Sequence, residues 1–342
     1  PISCLYAAFQ GVVSSSQPCQ RQPGSCSAET AAGRPREEED ARGRAAGNAQ
    51  GRSVILSTPI YVGRTSNPRG PPDAYKMSAN PRGKALVISN YDFGGLMNNR
   101  PGTDIDAVKI RDLFEKLHFS VDVEKDLTRQ EMKLKLKEFA RAPEHRQSDC
   151  CVVVIMSHGY QSPGEDPEGS WRPLGQQPGS THRPCPYVVY SSDGRALEVE
   201  WIIQQFNIAE ALKGKPKLFI IQACRGKGQQ ARGQSGNFVE SDANRFGGAS
   251  QDELNADDIF VANSTIPYYV SYRNSQEGTW FIQSICHVFA ESAHSMDLQV
   301  LIRKVHDRLA MHEGPNGEKQ SAELWVRGKT KALFFNPGFV DS

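Results

Sequence analysis

From Gly83 onward, short continuous apolar runs alternate with stretches whose apolar residues recur at helical spacing. Lys84–Ser89 is one such run, suited to a strand buried on both faces. Ala107, Ile110, Leu113, Phe114 and Leu117 then recur as a helical stripe. Asp104 and Asp106 stand at its N-terminal end, where the helix dipole favours acidic side chains. Phe119–Val123 alternates as a strand, and Thr128–Arg141 reads as a second amphipathic helix. Cys150–Met156 carries the strongest strand signal, with Lys217–Ile221 and Ile259–Ala262 as further strands. Leu298, Leu301, Ile302, Val305 and Leu309 form another helical stripe, and Lys331–Phe335 reads as a last strand. Strands and helices alternating in this way imply βαβ units. The expected fold class is therefore α/β, one sandwich over about residues 78–340, its mostly parallel sheet flanked by helices.

Two polar segments interrupt the pattern, each directly after a strand. Tyr160–Pro186 is crowded with Pro, Gly and Ser, and Gly226–Asp258 is Gly-rich with several aspartates. Loops of such length in a compact domain are commonly functional or disordered, and ligands of a doubly wound sheet bind beyond the carboxyl ends of its strands. Residues 1–77 differ again. They are rich in Ser, Gly, Pro, Arg and Gln, sustain no helical period, and read as a low-complexity, disordered leader.

Composition narrows the function. The formal charge of +1 gives no global field that would favour nucleic acid or a membrane as the main partner. No apolar run is long enough for a helix to span a bilayer, and Cys4–Val13 lacks the basic start and cleavage site of a signal peptide. The eight cysteines follow neither a disulfide framework nor a zinc-ligand spacing. Reduced thiols, no metal and a cytoplasmic setting are the expectation.

Ser157-His158-Gly159 follows the strand Cys150–Met156, and Gln222-Ala-Cys224-Arg-Gly226 follows the strand Lys217–Ile221. If those strands are parallel neighbours, His158 and Cys224 emerge side by side at one sheet edge. That is the arrangement in which a base activates a thiol nucleophile. The amides of Gly159 and Cys224 then become candidates for an oxyanion hole. Taken singly, each residue has a plainer explanation, a core thiol or a polar cap at a strand end.

The pentapeptide Gln222–Gly226, with a histidine 66 positions upstream, resembles the signature of the caspase family of cysteine-aspartic proteases. Asn99–Asp106, Ser271–Ser275 and Gly278–Gln283 resemble further segments of the same family, so the likeness runs over roughly 74–339. It implies a caspase-hemoglobinase sandwich and a cysteine endopeptidase cutting after aspartate, without a cofactor. It assigns Arg100, Gln222 and Arg273 to the pocket for the substrate aspartate, Val270 and Tyr272 to the second subsite and Trp280 to the fourth. The carbonyl of Asn98 is assigned to the imidazole of His158. Two guanidiniums around one cavity suit a single carboxylate.

Leu117–Thr128, Asp149–Gly159 and Ala293–Gln299 resemble the family's apoptosis-initiating branch, although Arg225 stands where that branch typically carries Gly. The resemblance implies an apoptosome adaptor as partner, a homodimer paired through the edge at Lys331–Phe335, and zymogen processing. Asp242, followed by Ala243, is the expected cut, with Asp252, Asp257 and Asp258 as competitors. It would divide the domain into a large part, 78–242, and a small part, 243–342. The new terminus Ala243-Asn-Arg-Phe246 resembles the tetrapeptide captured by inhibitor-of-apoptosis BIR domains, whose pocket would hold the free α-amine. The alternative is a catalytically weak homologue serving as a regulatory binding scaffold.

Overall fold

The computed structural model describes residues 59–161, 186–226, 256–314 and 317–341. The chain runs through β1 (Gly83–Ser89), α1 (Thr103–Lys116), β2 (Phe119–Lys125), α2 (Arg129–Ala140) and β3 (Cys150–Met156). A small sheet follows, of β4 (Gly159–Gln161), β5 (Tyr187–Tyr190) and β6 (Ala196–Glu198), leading into α3 (Val199–Asn207). Then come β7 (Lys217–Gln222), β8 (Ile259–Asn263), β9 (Arg273–Asn274), β10 (Gly278–Thr279), α4 (Trp280–Ser292), α5 (Leu298–Met311) and β11 (Glu323–Arg327).

The main sheet has the order β11-β8-β7-β3-β1-β2, and only β11 runs antiparallel to its neighbour. The fold is α/β, as the apolar pattern predicts. Every residue of β3 is buried, because both faces of the sheet are covered. Cys150, Val152, Val154 and Met156 pack toward α1, α4 and α5, while Cys151, Val153 and Ile155 pack toward α2 and α3. This alternation explains why β3 reads as a continuous apolar run.

Local chemistry sets the helix starts. The Thr128 hydroxyl accepts from the amide of Glu131, whose carboxylate accepts from the amide of Thr128 at 2.8 Å, a reciprocal cap of α2. Asp297 caps α5 by accepting from the amides of Gln299 and Val300.

Two readings shift. Lys331–Phe335 is not a strand. Leu333 and Phe335 are buried in the core, Leu298 donates to the Leu333 carbonyl, and the one sheet-like contact is an isolated bridge from Phe334 to Asp297. Helix packing explains the apolar run that suggested a ladder. The sheet edge is instead β11, whose charged ends and half-exposed faces hide its period. The described residues also begin inside the segment read as a leader. Gly63 donates to the Ala290 carbonyl, Ile60 donates to the Asp112 carboxylate, and Tyr75 and Met77 are buried in the core. The remainder of the leader, to residue 58, lies outside the described residues.

Candidate active site

Strands β3 and β7 pair in parallel with Met156 opposite Gln222. Each chain then continues for two residues, to His158 and to Cys224, and the Ser157 amide donates to the Gln222 carbonyl at 3.1 Å. The two residues therefore leave the same sheet edge from adjacent strands. Both are half-buried, whereas Ser157, Ala223 and Arg225 around them are buried. Gly159 lies so close to the turn that a Cβ there would stand 2.9 Å from the Cys224 carbonyl oxygen. A side chain on Gly226 would collide with the Tyr268 carbonyl. These two glycines let three backbone segments close around the thiol.

The imidazole of His158 is held by its Nε2, 2.8 Å from the Asn98 carbonyl oxygen, and by the Phe93 ring at a centroid distance of 4.7 Å. Burial lowers its pKa to about 4; the Asn98 contact opposes this, and Arg100 and Arg273 reinforce it. His158 is therefore neutral at pH 7. In a Cys224→Ala chain, its NMR titration should stay flat between about pH 7.5 and pH 5.5, against an ordinary histidine midpoint of about 6.5. The unfolded chain takes up this proton first. The stability it contributes is present above about pH 6.5 and is lost as pH falls through about 4. A titration midpoint near 6.5 in the folded chain would overturn this assignment.

The Cys224 sulfur is 3.7 Å from Oγ of Ser271 and accepts from the Ser271 amide at 3.5 Å. The same hydroxyl accepts from Nε2 of Gln222 at 2.9 Å, while Oε1 of Gln222 is buried without a partner among the described residues. The residue beyond Cys224 pairs with the next segment. The Arg225 amide donates to the Tyr269 carbonyl, and the Tyr268 amide donates back to Arg225.

Arg100 and Arg273 are close enough to interact, and Gln222 is tied through Ser271 to the segment that carries Arg273. Arg100 is buried and donates to the Asn90 carbonyl and the Thr103 hydroxyl, both at 3.1 Å. Burial first, and then the Arg273 charge, lower its pKa to about 9, while Asp106 opposes them. Arg273 is shifted downward by its own burial. Asp106 accepts from the Thr279 amide and from Gln283, and burial raises its pKa to about 6 against those bonds and against Arg100. Gly278 has a φ of +101°, and a Cβ there would strike the Asp106 carboxylate.

The Tyr272 and Trp280 rings lie 5.0 Å apart between centroids at a 35° tilt, and Val270 is half-buried on the same segment as Tyr272. The sequence reading missed three neighbours. His312 stacks on the far side of Trp280 at 5.3 Å, Ser271 touches the thiol, and Asp106 stands behind the arginines. A lone histidine after a helix carries no spacing signal, whereas Ser271 and Asp106 both lay within recognised segments. Asp242 and Ala243–Phe246 fall outside the described residues, as does most of the loop after His158.

The family model described as a caspase domain matches residues 82–334. Caspase-9 of Homo sapiens is 38% identical over 276 residues, covering 73% of this chain and 61% of that protein. Caspase-2 of Gallus gallus is 29% identical over 286 residues, covering 78% and 61%. Caspase-3 of Oryctolagus cuniculus is 31% identical over 242 residues, covering 70% and 76%. The chain thus spans 61% of the length of the first two of these relatives.

Proposed function

The chain belongs to the caspase family, and from that premise we propose that it is a cysteine endopeptidase that cleaves proteins after aspartate and initiates or relays apoptosis. The observation that carries this reading is the parallel register that delivers His158 and Cys224 to one sheet edge beside Arg100 and Arg273. Cys224 passes its thiol proton to the neutral imidazole of His158 as its sulfur attacks the scissile carbonyl. The tetrahedral oxyanion is stabilised by the amides of Gly159 and Cys224, and the amine leaves with a proton from His158. Water then hydrolyses the thioester.

The electrostatics link substrate choice to base strength. Arg100 and Arg273 both depress the basicity of His158. A substrate carboxylate seated between them offsets that repulsion and makes the imidazole a better base as well as filling the pocket. Aspartate-ending fluorogenic peptides should therefore turn over at least about 10³-fold better in kcat/KM than the asparagine isostere, with part of the loss in kcat. Equal turnover of the two peptides would sink the aspartate reading. A folded chain with no turnover would favour the scaffold alternative.

Processing at Asp242 is supported by elimination. The Asp257 carboxylate accepts from the Lys329 amide, and Asp258 accepts from the Tyr75 hydroxyl at 2.6 Å and lies 4.0 Å from buried Lys217. Both competitors are tied down. Asp242 and Asp252 remain, and Asp242 is followed by the small residue that suits a cut. On this reading the terminus Ala243–Phe246 engages a BIR domain, an apoptosome adaptor activates the zymogen, and the cytoplasm is its setting. The homodimer pairs through β11, in place of Lys331–Phe335.

A further inference from the structure

We propose that Gln320 is a positioning residue for the substrate-binding segment, holding Tyr272 and Ser264 at a fixed separation; its catalytic consequence rests on the protease reading above. Gln320 lies in the connection between α5 and β11, far from the pocket in sequence, and its side chain is buried. Its Oε1 accepts from the Tyr272 amide at 2.8 Å, and its Nε2 donates to the Ser264 carbonyl at 2.7 Å. The two backbone groups require opposite partners, and a glutamine amide in this one orientation supplies both.

Both ends of this clamp lead to the reacting groups. The Ser264 hydroxyl donates to the Ala223 carbonyl and accepts from the Ala223 amide, so Ser264 is bolted to the residue before Cys224. Tyr272 sits between Ser271, which touches the Cys224 sulfur, and Arg273, which faces Arg100. The Tyr272 carbonyl accepts from the Trp280 amide, which fixes the other side of the same residue. One buried side chain thus ties the residue before Cys224, through Ser264, to the stretch that carries Tyr272 and Arg273, beyond the point where Arg225 pairs with Tyr268–Tyr269. Backbone support beside it comes from the Ile266 amide donating to the Ser321 carbonyl and from the reciprocal pair between Arg225 and Tyr268–Tyr269. Gln320 also stands three residues before the edge strand β11, with Ser321 exposed and Ala322 buried between them.

Gln320→Glu keeps the acceptor for Tyr272 but sets an oxygen against the Ser264 carbonyl, and Gln320→Met removes both bonds at similar volume. In the full chain, each should raise KM for an aspartate-ending peptide about tenfold, with kcat changed less than about threefold. A purely structural role would instead reduce the active fraction and leave KM alone, and an unchanged KM in a folded variant would overturn the proposal. A second measurement needs no turnover. In the Cys224→Ala background, chymotrypsin should cut at Tyr268–Tyr272 about tenfold faster once the clamp is lost. Unchanged cutting would likewise overturn it. If cutting accelerates while the parent enzyme shows no aspartate-dependent turnover, the clamp stands and the protease reading fails.

Discussion

Replacing Cys224 with alanine should abolish aspartate-directed turnover, by about 10⁴-fold or more, because no other group can form the thioester. The four described cysteines are all free thiols, but Cys150, Cys151 and Cys286 are buried in the core, and burial pushes each of their pKa values up. None can substitute for a half-exposed sulfur beside His158. The fold should survive, since Cys224 lies at the rim of the sheet and the hydrogen bonds of its sulfur among the described residues are weak ones to Ser271. The same variant should remain a single chain, whereas the parent should be processed after Asp242. Mass spectrometry of the two proteins checks this. A Cys224→Ala chain that still appears with Ala243 as a new terminus, expressed without another protease, would show that the cut is not its own.

The sheet and the Cys224–His158 placement were legible in the sequence because they depend on short-range signals. A strand buried on both faces shows itself as a continuous apolar run, and the residue after it must emerge at the sheet edge. Cys150–Met156 and Lys217–Gln222 satisfy both conditions. The pocket arginines came from the family resemblance, since nothing in the spacing of Arg100 and Arg273 brings them together. What sequence hid is long-range or mixed in polarity. Gln320 acts on backbone groups 48 and 56 residues away. Glu323–Arg327 pairs on one side only, so its alternation is blurred. Leu333 and Phe335 showed the opposite error, an apolar pattern produced by helix packing rather than by a strand.

Arg225 and Glu323 should show that a buried charge can be worth more removed than half-removed. Arg225 is 1% exposed, lies between the rings of Tyr187 and Trp325 at 4.8 Å from each, and pairs with Glu323. Its remaining donors reach Gln161 at 2.7 and 3.0 Å and the Thr265 carbonyl at 3.1 Å. Glu323→Leu leaves that guanidinium charged and buried with neutral acceptors only. The expected loss is about 3 kcal/mol of unfolding free energy, measured by denaturant in the Cys224→Ala background. Adding Arg225→Met removes the uncompensated charge and puts a flexible apolar chain between the same two rings, so the double variant should regain at least half of the loss. The asymmetry follows from where each group sits: the Glu323 side chain keeps 29% of its exposure and can return to water, while Arg225 cannot. A Glu323→Leu cost below about 0.5 kcal/mol would mean the pair behaves as a surface ion pair, and the cage around Arg225 would then owe its stability to the two rings.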